Sequence, residues 1–372
     1  MRGWRTLLGM AAGLAWLTTA PAAARAAPQL DCPLRDAPFS IDSPLVDVLL
    51  NAEARRLTEQ TTGMDFSKGP PDFVRTTAPT FAAILTIKAA ARFMGANLAV
   101  LPQLDQQLRA IPVSQADRIA RCARYDDDRP NLVLPKGKVR ILLFEKITGF
   151  RDGPSVDAAH AALVAMARRN GWALVSTDKG GVFTPASLGR FDAVIWNNIS
   201  GDVLTLRQRK AFQHYLAKGG GFVGLHGSAG DPVSFWDWYV DELIGARFAG
   251  HPMQPQFQEA RITVSGDHPL SAGLPGEWRM TDEWYSFRNN PRAAGARVVL
   301  SLDESSYVLK GMMGERLEMG ADHPLAWTKC LGKGRMFYSA IGHLPATYSE
   351  PHHIRLLDTA IAWAADRHAA CR

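Results

Sequence analysis

Three kinds of histidine setting in this chain could support acid–base chemistry. His226 lies in the segment Gly224–Ser228, at the end of a predicted strand, and small residues flank it as they flank the nucleophile of an elbow turn. His251 and His323 each precede a proline, and His343 follows a glycine. Imidazole can act as an acid, a base or a metal ligand near neutral pH. We therefore expect these histidines to converge over one edge of a sheet.

The densest polar and aromatic cluster is Asp282-Glu283-Trp284-Tyr285. A carboxylate beside aromatic rings can have a raised pKa, which suits an acid or a base. Tryptophan and tyrosine also offer an apolar face and a polar tip, which suits stacking on a sugar ring. We predict that Glu283 is the partner of His226.

A metal site is an alternative use of the same residues. The four histidines, with Asp231 or Glu283, include ligand types that bind transition metals. No HExxH motif or similarly tight spacing is present, so the sequence leaves the cofactor unknown and a divalent metal open.

The elements that must position these residues follow an α/β pattern from residue 139 onward. Val139–Phe144 is a nearly continuous apolar run, which is typical of a strand buried on both faces. Strands that alternate with helical patterns predict a doubly wound parallel sheet, and such sheets bind ligands outside the carboxyl ends of their strands. The predicted strands are Val139–Phe144, Ala173–Ser176, Phe191–Trp196, Gly221–His226, Arg261–Val264, Arg297–Leu302, Leu325–Lys329 and Arg335–Ala340.

The preceding part of the chain differs in pattern. Residues 27–130 have apolar residues at helical spacing and contain no histidine, which predicts a helical accessory segment that ends in a linker. We expect the α/β domain to occupy residues 131–372.

Residues 1–26 have the features of a signal peptide. Arg2 and Arg5 precede an apolar stretch, and small residues flank Arg25 before the expected cleavage site. We expect a periplasmic or secreted protein with no membrane segment after cleavage. Loss of these residues, which carry three arginines and no acid, lowers the formal charge from +6 to +3. Basic residues neither cluster nor alternate with aromatic ones, so no nucleic-acid partner is predicted.

Four cysteines remain after such cleavage. Cys32 and Cys122 bracket the helical segment and could pair in an oxidising compartment. Cys330 lies in a predicted strand, and we expect it to be an inert core thiol.

Several of these segments together resemble the trehalose-utilisation (ThuA-like) family. The segments are Phe144–Arg151, Gly219–His226, Gly250-His251-Pro252, Thr281–Phe287, Leu302–Tyr307, His323–Trp327 and Gly342-His343. The resemblance runs from about Val139 to Arg367 and implies a flavodoxin-like sheet of the class I glutamine-amidotransferase type. It also implies a role in carbohydrate metabolism.

The resemblance further implies that the amidotransferase cysteine has been replaced by His226. The His-x-Glu pair of an amidotransferase is missing as well, because Leu344-Pro345 follows His343. We therefore expect no glutamine hydrolysis. Family members typically have a histidine where this chain has Asp152, which points to a changed substrate or proton relay.

We predict an enzyme that acts on a glycoside or keto-sugar, with His226, Glu283 and His343 as catalytic residues. A non-catalytic sugar-binding module and a metal-dependent hydrolase are the alternatives. The partner in either sugar hypothesis is a small-molecule sugar. The expected substrate-binding residues are Asp152, Asp231, Trp236, His251, Asp282, Trp284, Tyr285 and His323.

Overall fold

A computed structural model describes residues 30–311, 316–368 and 371. The predicted signal peptide, residues 1–26, lies outside this part of the chain. Among the described residues, no helix is both long and apolar enough to cross a lipid bilayer.

Five strands form the parallel half of a nine-stranded sheet, which confirms the doubly wound α/β prediction. Their order is β2-β1-β3-β4-β11, and each pairs in parallel with its neighbours. Apart from the edge strand β2, these strands are buried between helices, which explains their continuous apolar sequences. The five strands are β1 (Arg140–Phe144), β2 (Ala173–Thr177), β3 (Ala193–Trp196), β4 (Gly221–Leu225) and β11 (Gly334–Ser339).

Four antiparallel strands extend this sheet beyond β11, in the order β10-β9-β6-β7. Strands β10 and β11 form the hairpin that the sequence predicts. These strands are β6 (Phe257–Val264), β7 (Glu277–Glu283), β9 (Arg297–Asp303) and β10 (His323–Leu331). A separate antiparallel pair joins β5 (Phe248–Gly250) to β8 (Ser286–Phe287).

Helices cover the parallel half of the sheet. They are α7 (Gly153–Asn170), α8 (Pro185–Leu188), α9 (Leu206–Ala217) and α10 (Pro351–Ala365). Thr205 and Gln208 form the capping box that the sequence predicts at the start of α9. A π-helix, Trp238–Ile244, follows β4.

The N-terminal part, residues 30–125, is helical as predicted. Its helices are α1 (Leu45–Leu50), α2 (Ala52–Thr62), α3 (Pro71–Val74), α4 (Ile87–Phe93), α5 (Leu101–Arg109) and α6 (Gln115–Cys122). They surround a hydrophobic core of their own, separate from that of the sheet, in which Phe39, Val48 and Leu104 are fully buried. We call residues 30–125 the N-terminal unit. The boundary expected near residue 130 stays a prediction.

The chain contains two disulfides, Cys32–Cys122 and Cys330–Cys371. The first confirms the predicted pairing. The expectation that Cys330 is a buried thiol is wrong. Cys330 lies near the exposed end of β10, outside the core, and the C-terminal tail passes close enough for Cys371 to bond to it.

Candidate active site

Residues from distant strands meet at one edge of the sheet. His226 follows β4, and Glu283 ends β7, five strand spacings away in the sheet order. A flat sheet would separate such strand ends by about 24 Å. The observed distance from His226 Nε2 to Glu283 Oε2 is 3.5 Å. The antiparallel half must therefore twist back over the carboxyl ends of the parallel strands.

His226 occupies a strained elbow immediately after β4. Its φ angle is +31°, a conformation that residues with a side chain rarely adopt. Its Nδ1 lies 2.7 Å from the carbonyl oxygen of Ala340, which can only accept, so Nδ1 carries a proton and donates it. The imidazole also stacks on Tyr285, with ring centroids 4.2 Å apart. These contacts fix the ring and leave Nε2 buried without a hydrogen-bond partner.

Glu283 is the centre on which the other groups converge. Its Oε2 lies 2.9 Å from His343 Nδ1, and its Oε1 lies 3.2 Å from His251 Nδ1. Gln256 donates its amide hydrogen to Oε1 over 2.6 Å. The carboxylate is only 2% exposed, so these neighbours replace water almost completely.

The surrounding imidazoles determine the charge of this cluster. Burial alone would raise the pKa of Glu283, but the imidazoles of His226 and His343 and the charge of His251 together hold it well below its ordinary value. Burial likewise opposes the charged form of His343, yet the adjacent Glu283 carboxylate raises the pKa of that imidazole overall. Both shifts favour the carboxylate–imidazolium form of the Glu283–His343 pair.

The loop that carries His343 is held by Asp282. The Asp282 carboxylate accepts hydrogen bonds from the backbone N–H of Gly342 (2.6 Å) and of Leu344 (2.9 Å). Gly342 has a φ angle of +145°, and a Cβ there would lie 2.3 Å from the Tyr348 hydroxyl, so the position requires glycine. Asp282 is fully buried and does not line the cavity, and burial raises its pKa. It is a positioning residue and not the substrate-binding residue that the sequence predicts.

A cavity of about 1170 Å³ opens over this cluster. It brings together the predicted residues His226, Glu283, His343, His251 and Tyr285.

Three other predicted residues also line this cavity. Asp231 is partly buried and accepts hydrogen bonds from Ser200 Oγ (2.6 Å) and the Gly201 N–H (2.7 Å), and desolvation raises its pKa to about 7. Asp152 caps the start of α7, and Trp236 lies with its ring 4.8 Å from the Arg209 guanidinium.

Two predicted residues lie elsewhere. Trp284 is fully buried, and its indole donates to the Gln258 carbonyl over 2.9 Å, so neither face of its ring can stack on a ligand. His323 is also fully buried, with Nδ1 2.9 Å from Glu304 Oε1 and Nε2 2.8 Å from the Tyr285 carbonyl. The structure therefore contradicts substrate binding by these two side chains, because both are enclosed in the core and neither lines the cavity.

Many residues of the cavity, among them Asn198, Gln256 and Phe81, were not predicted from the sequence. Asn198 follows β3, has a φ angle of +53° and accepts a hydrogen bond from the Gly227 N–H, which supports the elbow. The strand-end rule that selected His226 could have found it. Gln256 and Phe81 also line the cavity, but no signal in the sequence singles them out.

The site offers ligands of a kind that metals bind. The ligand atoms of His226, Glu283 and His343 all lie within 4.8 Å of one another. Two histidines and one glutamate form the protein ligand set of some catalytic zinc sites. His226 also has the typical geometry of a metal ligand, because its Nδ1–H is anchored on a backbone carbonyl and its Nε2 is free.

Comparison with known proteins gives a family match and fold matches. The family model "ThuA: Trehalose utilisation" matches residues 140–364. A ThuA-like protein from Bacteroides uniformis has 24% sequence identity and a TM-score of 0.53, over 64% of this chain and 95% of that chain. A ThuA-like protein from Parabacteroides merdae has 18% identity and a TM-score of 0.46, over 64% and 93%. A glutamine amidotransferase from Thermotoga maritima has 12% identity and a TM-score of 0.37, over 62% and 100%. None of the curated proteins matches the chain significantly.

Proposed function

This chain belongs to the trehalose-utilisation (ThuA) family, and we propose from that premise that it is an enzyme acting on a glycoside or keto-sugar by acid–base chemistry. The observation that carries this proposal is the convergence of His226, His251 and His343 on one buried carboxylate, Glu283, in the wall of a cavity.

Each group of the cluster has a distinct role in this proposal. His226 exchanges the proton with the substrate through Nε2, because Nδ1 is occupied by Ala340. Glu283 stabilises the imidazolium that forms, as carboxylates do beside catalytic histidines. His343, whose pKa is raised, stays protonated over a wider pH range and supplies a proton to the departing oxygen.

The cysteines support the expectation that the reaction is not glutamine hydrolysis. That reaction needs a free thiolate at the elbow. The elbow holds His226 instead, and all four cysteines are paired in disulfides. The disulfides also support the proposal that the protein works in the periplasm or outside the cell, where such bonds persist.

A mass-spectrometric turnover screen tests the function. The wild type, His226→Ala and Glu283→Gln are each incubated with methyl glycosides, disaccharides and their keto derivatives. His214→Ala serves as the control because His214 is exposed and lies outside the cavity. We expect a mass change or isomer shift with the wild type and the control only. Binding without any chemical change in the whole panel would favour a non-catalytic sugar-binding module instead.

A metal-dependent hydrolase is the second candidate, and the free Nε2 of His226 favours it. A neutral Nε2 places a lone pair 3.5 Å from a carboxylate, and a proton or a cation between them removes the repulsion. His226, Glu283 and His343 would hold a metal, which in such sites makes bound water acidic. Calorimetric titration of zinc and manganese into the wild type and His226→Ala tests this candidate. One-to-one binding that is lost in the variant supports it, and no binding by the wild type excludes these metals.

A further inference from the structure

The N-terminal unit forms one wall of the cavity, although the family match begins only at residue 140. Cavity-lining residues of this unit include Phe73, Phe81, Ile84, Lys88 and Arg92. We call these five residues the N-terminal wall. The fold shared with the family carries the histidine cluster, and this additional unit completes the cavity above it.

The N-terminal unit is packed tightly against the α/β domain at this point. The backbone N–H of Thr80 donates to the Thr148 carbonyl over 3.0 Å, and the Tyr125 hydroxyl donates to Asp202 over 2.8 Å. A Cβ on Gly149 would lie 2.6 Å from Ile84 Cγ2, which is too close for any side chain. The close approach of the N-terminal unit to the α/β domain at this point therefore requires glycine. The wall is therefore fixed relative to the loop that follows β1.

A row of aromatic rings runs from this wall to the histidine cluster. Phe73 stacks on Phe81 with centroids 4.5 Å apart, and Phe81 lies 5.0 Å from Phe150 of the α/β domain. Phe150 in turn lies 6.1 Å from the ring of His343. Phe81 is half-buried and Phe150 is 39% exposed, and both line the cavity. The row thus borders the cavity from the N-terminal unit up to a proposed catalytic group.

The cavity is larger than a single sugar ring requires, which bears on the role of the aromatic row. Pockets that hold a whole drug-sized ligand measure about 300–1,000 Å³, and this cavity measures about 1170 Å³. One sugar ring at His226 and Glu283 leaves most of that space unfilled.

We infer that the aromatic row, through Phe81, is a second subsite that binds the part of a glycoside remote from the reacting bond. That part must present an apolar ring, because Phe73 already covers one face of Phe81 and aromatic rings pack edge-to-face as well as in offset stacks. A second sugar ring and an aryl leaving group share this chemistry. The inference rests on the proposed function and extends it to the substrate class.

Kinetics on three glycosides of one sugar test the inference. The substrates are a methyl glycoside, a disaccharide and a phenyl glycoside, and the variants are Phe81→Ala, Phe81→Tyr and the control Leu50→Ala, an exposed apolar residue outside the cavity. We expect Phe81→Ala to lower kcat/KM about tenfold for a ring-bearing substrate and less than twofold for the methyl glycoside. Phe81→Tyr keeps the ring and should retain wild-type values.

The two ring-bearing substrates distinguish the sources of the ring. A loss confined to the disaccharide identifies a second sugar, and a loss confined to the phenyl glycoside identifies an aryl group. Equal losses for all three substrates, or no loss for any, would overturn the inference while the proposed function stands.

Binding measurements separate this inference from the proposed function. If no glycoside is turned over, calorimetry of the same ligands with wild type and Phe81→Ala still decides the matter. A Kd that rises about tenfold only for a ring-bearing ligand supports the subsite, although the catalytic proposal has failed. An unchanged Kd, or no binding by the wild type, overturns the subsite. Unfolding curves of each variant confirm that it is folded.

Discussion

Two histidine–glutamate clusters in this protein use the same chemical groups in different ways. In the cavity, Glu283 is surrounded by His226, His251 and His343, and the Nε2 of His226 has no hydrogen-bond partner. In the core, His323 pairs with Glu304 at 2.9 Å, and its other ring nitrogen is bonded to the Tyr285 carbonyl. The sequence around both clusters looks alike, since each has a histidine beside proline or glycine at one end of a strand: His226 follows β4, and His323 begins β10.

The difference shows that a candidate catalytic histidine has a ring nitrogen without a protein hydrogen-bond partner, whereas a structural histidine has partners on both nitrogens. A histidine with protein partners on both nitrogens cannot exchange a proton with a substrate. The clusters are nevertheless connected through Tyr285, whose carbonyl bonds to His323 and whose ring stacks on His226. The core pair therefore supports the ring against which the cavity histidine packs.

The largest effect that we expect from disrupting either cluster is a loss of enzymatic activity when His226 in the cavity is replaced. His226→Ala should lower kcat/KM about 10³-fold, because general acid–base groups contribute about 10²–10⁴-fold. The free energy of unfolding should fall by about 1–3 kcal/mol, because the substitution removes a hydrogen bond to a buried carbonyl and the stacking of the imidazole on Tyr285. Steady-state kinetics and urea unfolding measure both quantities. A variant with full activity would show that His226 is not the acid–base group.

The second effect is on stability in the core. His323→Ala should lower the free energy of unfolding by about 3 kcal/mol, because it leaves the Glu304 carboxylate and a buried carbonyl without this partner. The folded protein should keep kcat within a few-fold of the wild type. Glu304→Gln is the matched variant that breaks the same pair from the other side. If His323→Ala were as stable as the wild type but inactive, His323 would belong to the catalytic set.

The third effect is a pH dependence of the pair Glu283–His343. The pKa of His343 is raised above its ordinary 6.5 in the folded protein. The stability that this pair contributes is therefore fully present below pH 6.5 and is lost as the pH rises through the raised pKa. His343→Gln should be less stable than the wild type by about 1.5 kcal/mol near pH 6, and the difference should shrink at alkaline pH. Urea unfolding of both proteins between pH 6 and pH 9 tests the sign. A difference that grows with pH would contradict the charged pair.

The smallest effect expected is at the edge of the cavity cluster. His251 is 23% exposed and its Nδ1 is 3.2 Å from Glu283, so water and Gln256 can replace part of its interaction. His251→Ala should lower kcat/KM about threefold to tenfold, which is far less than His226→Ala. Kinetics of both variants on one substrate measure the ratio. Equal losses would mean that the cluster acts as one unit without a central histidine.

Local sequence patterns predict much of the fold and part of the site. The apolar run Val139–Phe144 contains β1, and the capping box at Thr205 starts α9, because both depend on interactions within a few residues. The position of the elbow at His226 is predictable as well, because the apolar pattern of β4 ends at the preceding residue. By contrast, adjacent residues of one cluster have different roles. Glu283 faces the cavity, Asp282 holds a loop and Trp284 lies in the core.

The sequence by itself determined the strand-ending histidine and the helical character of the N-terminal unit. These depend on residue type and short-range periodicity. Only the tertiary structure decided that Glu283 meets His226, that His323 is enclosed, and that Phe81 borders the cavity. Each of these depends on how far the sheet twists back and how one unit packs on another. The positions of these side chains are determined by many contacts between residues far apart in the chain, and no local sequence pattern specifies those contacts.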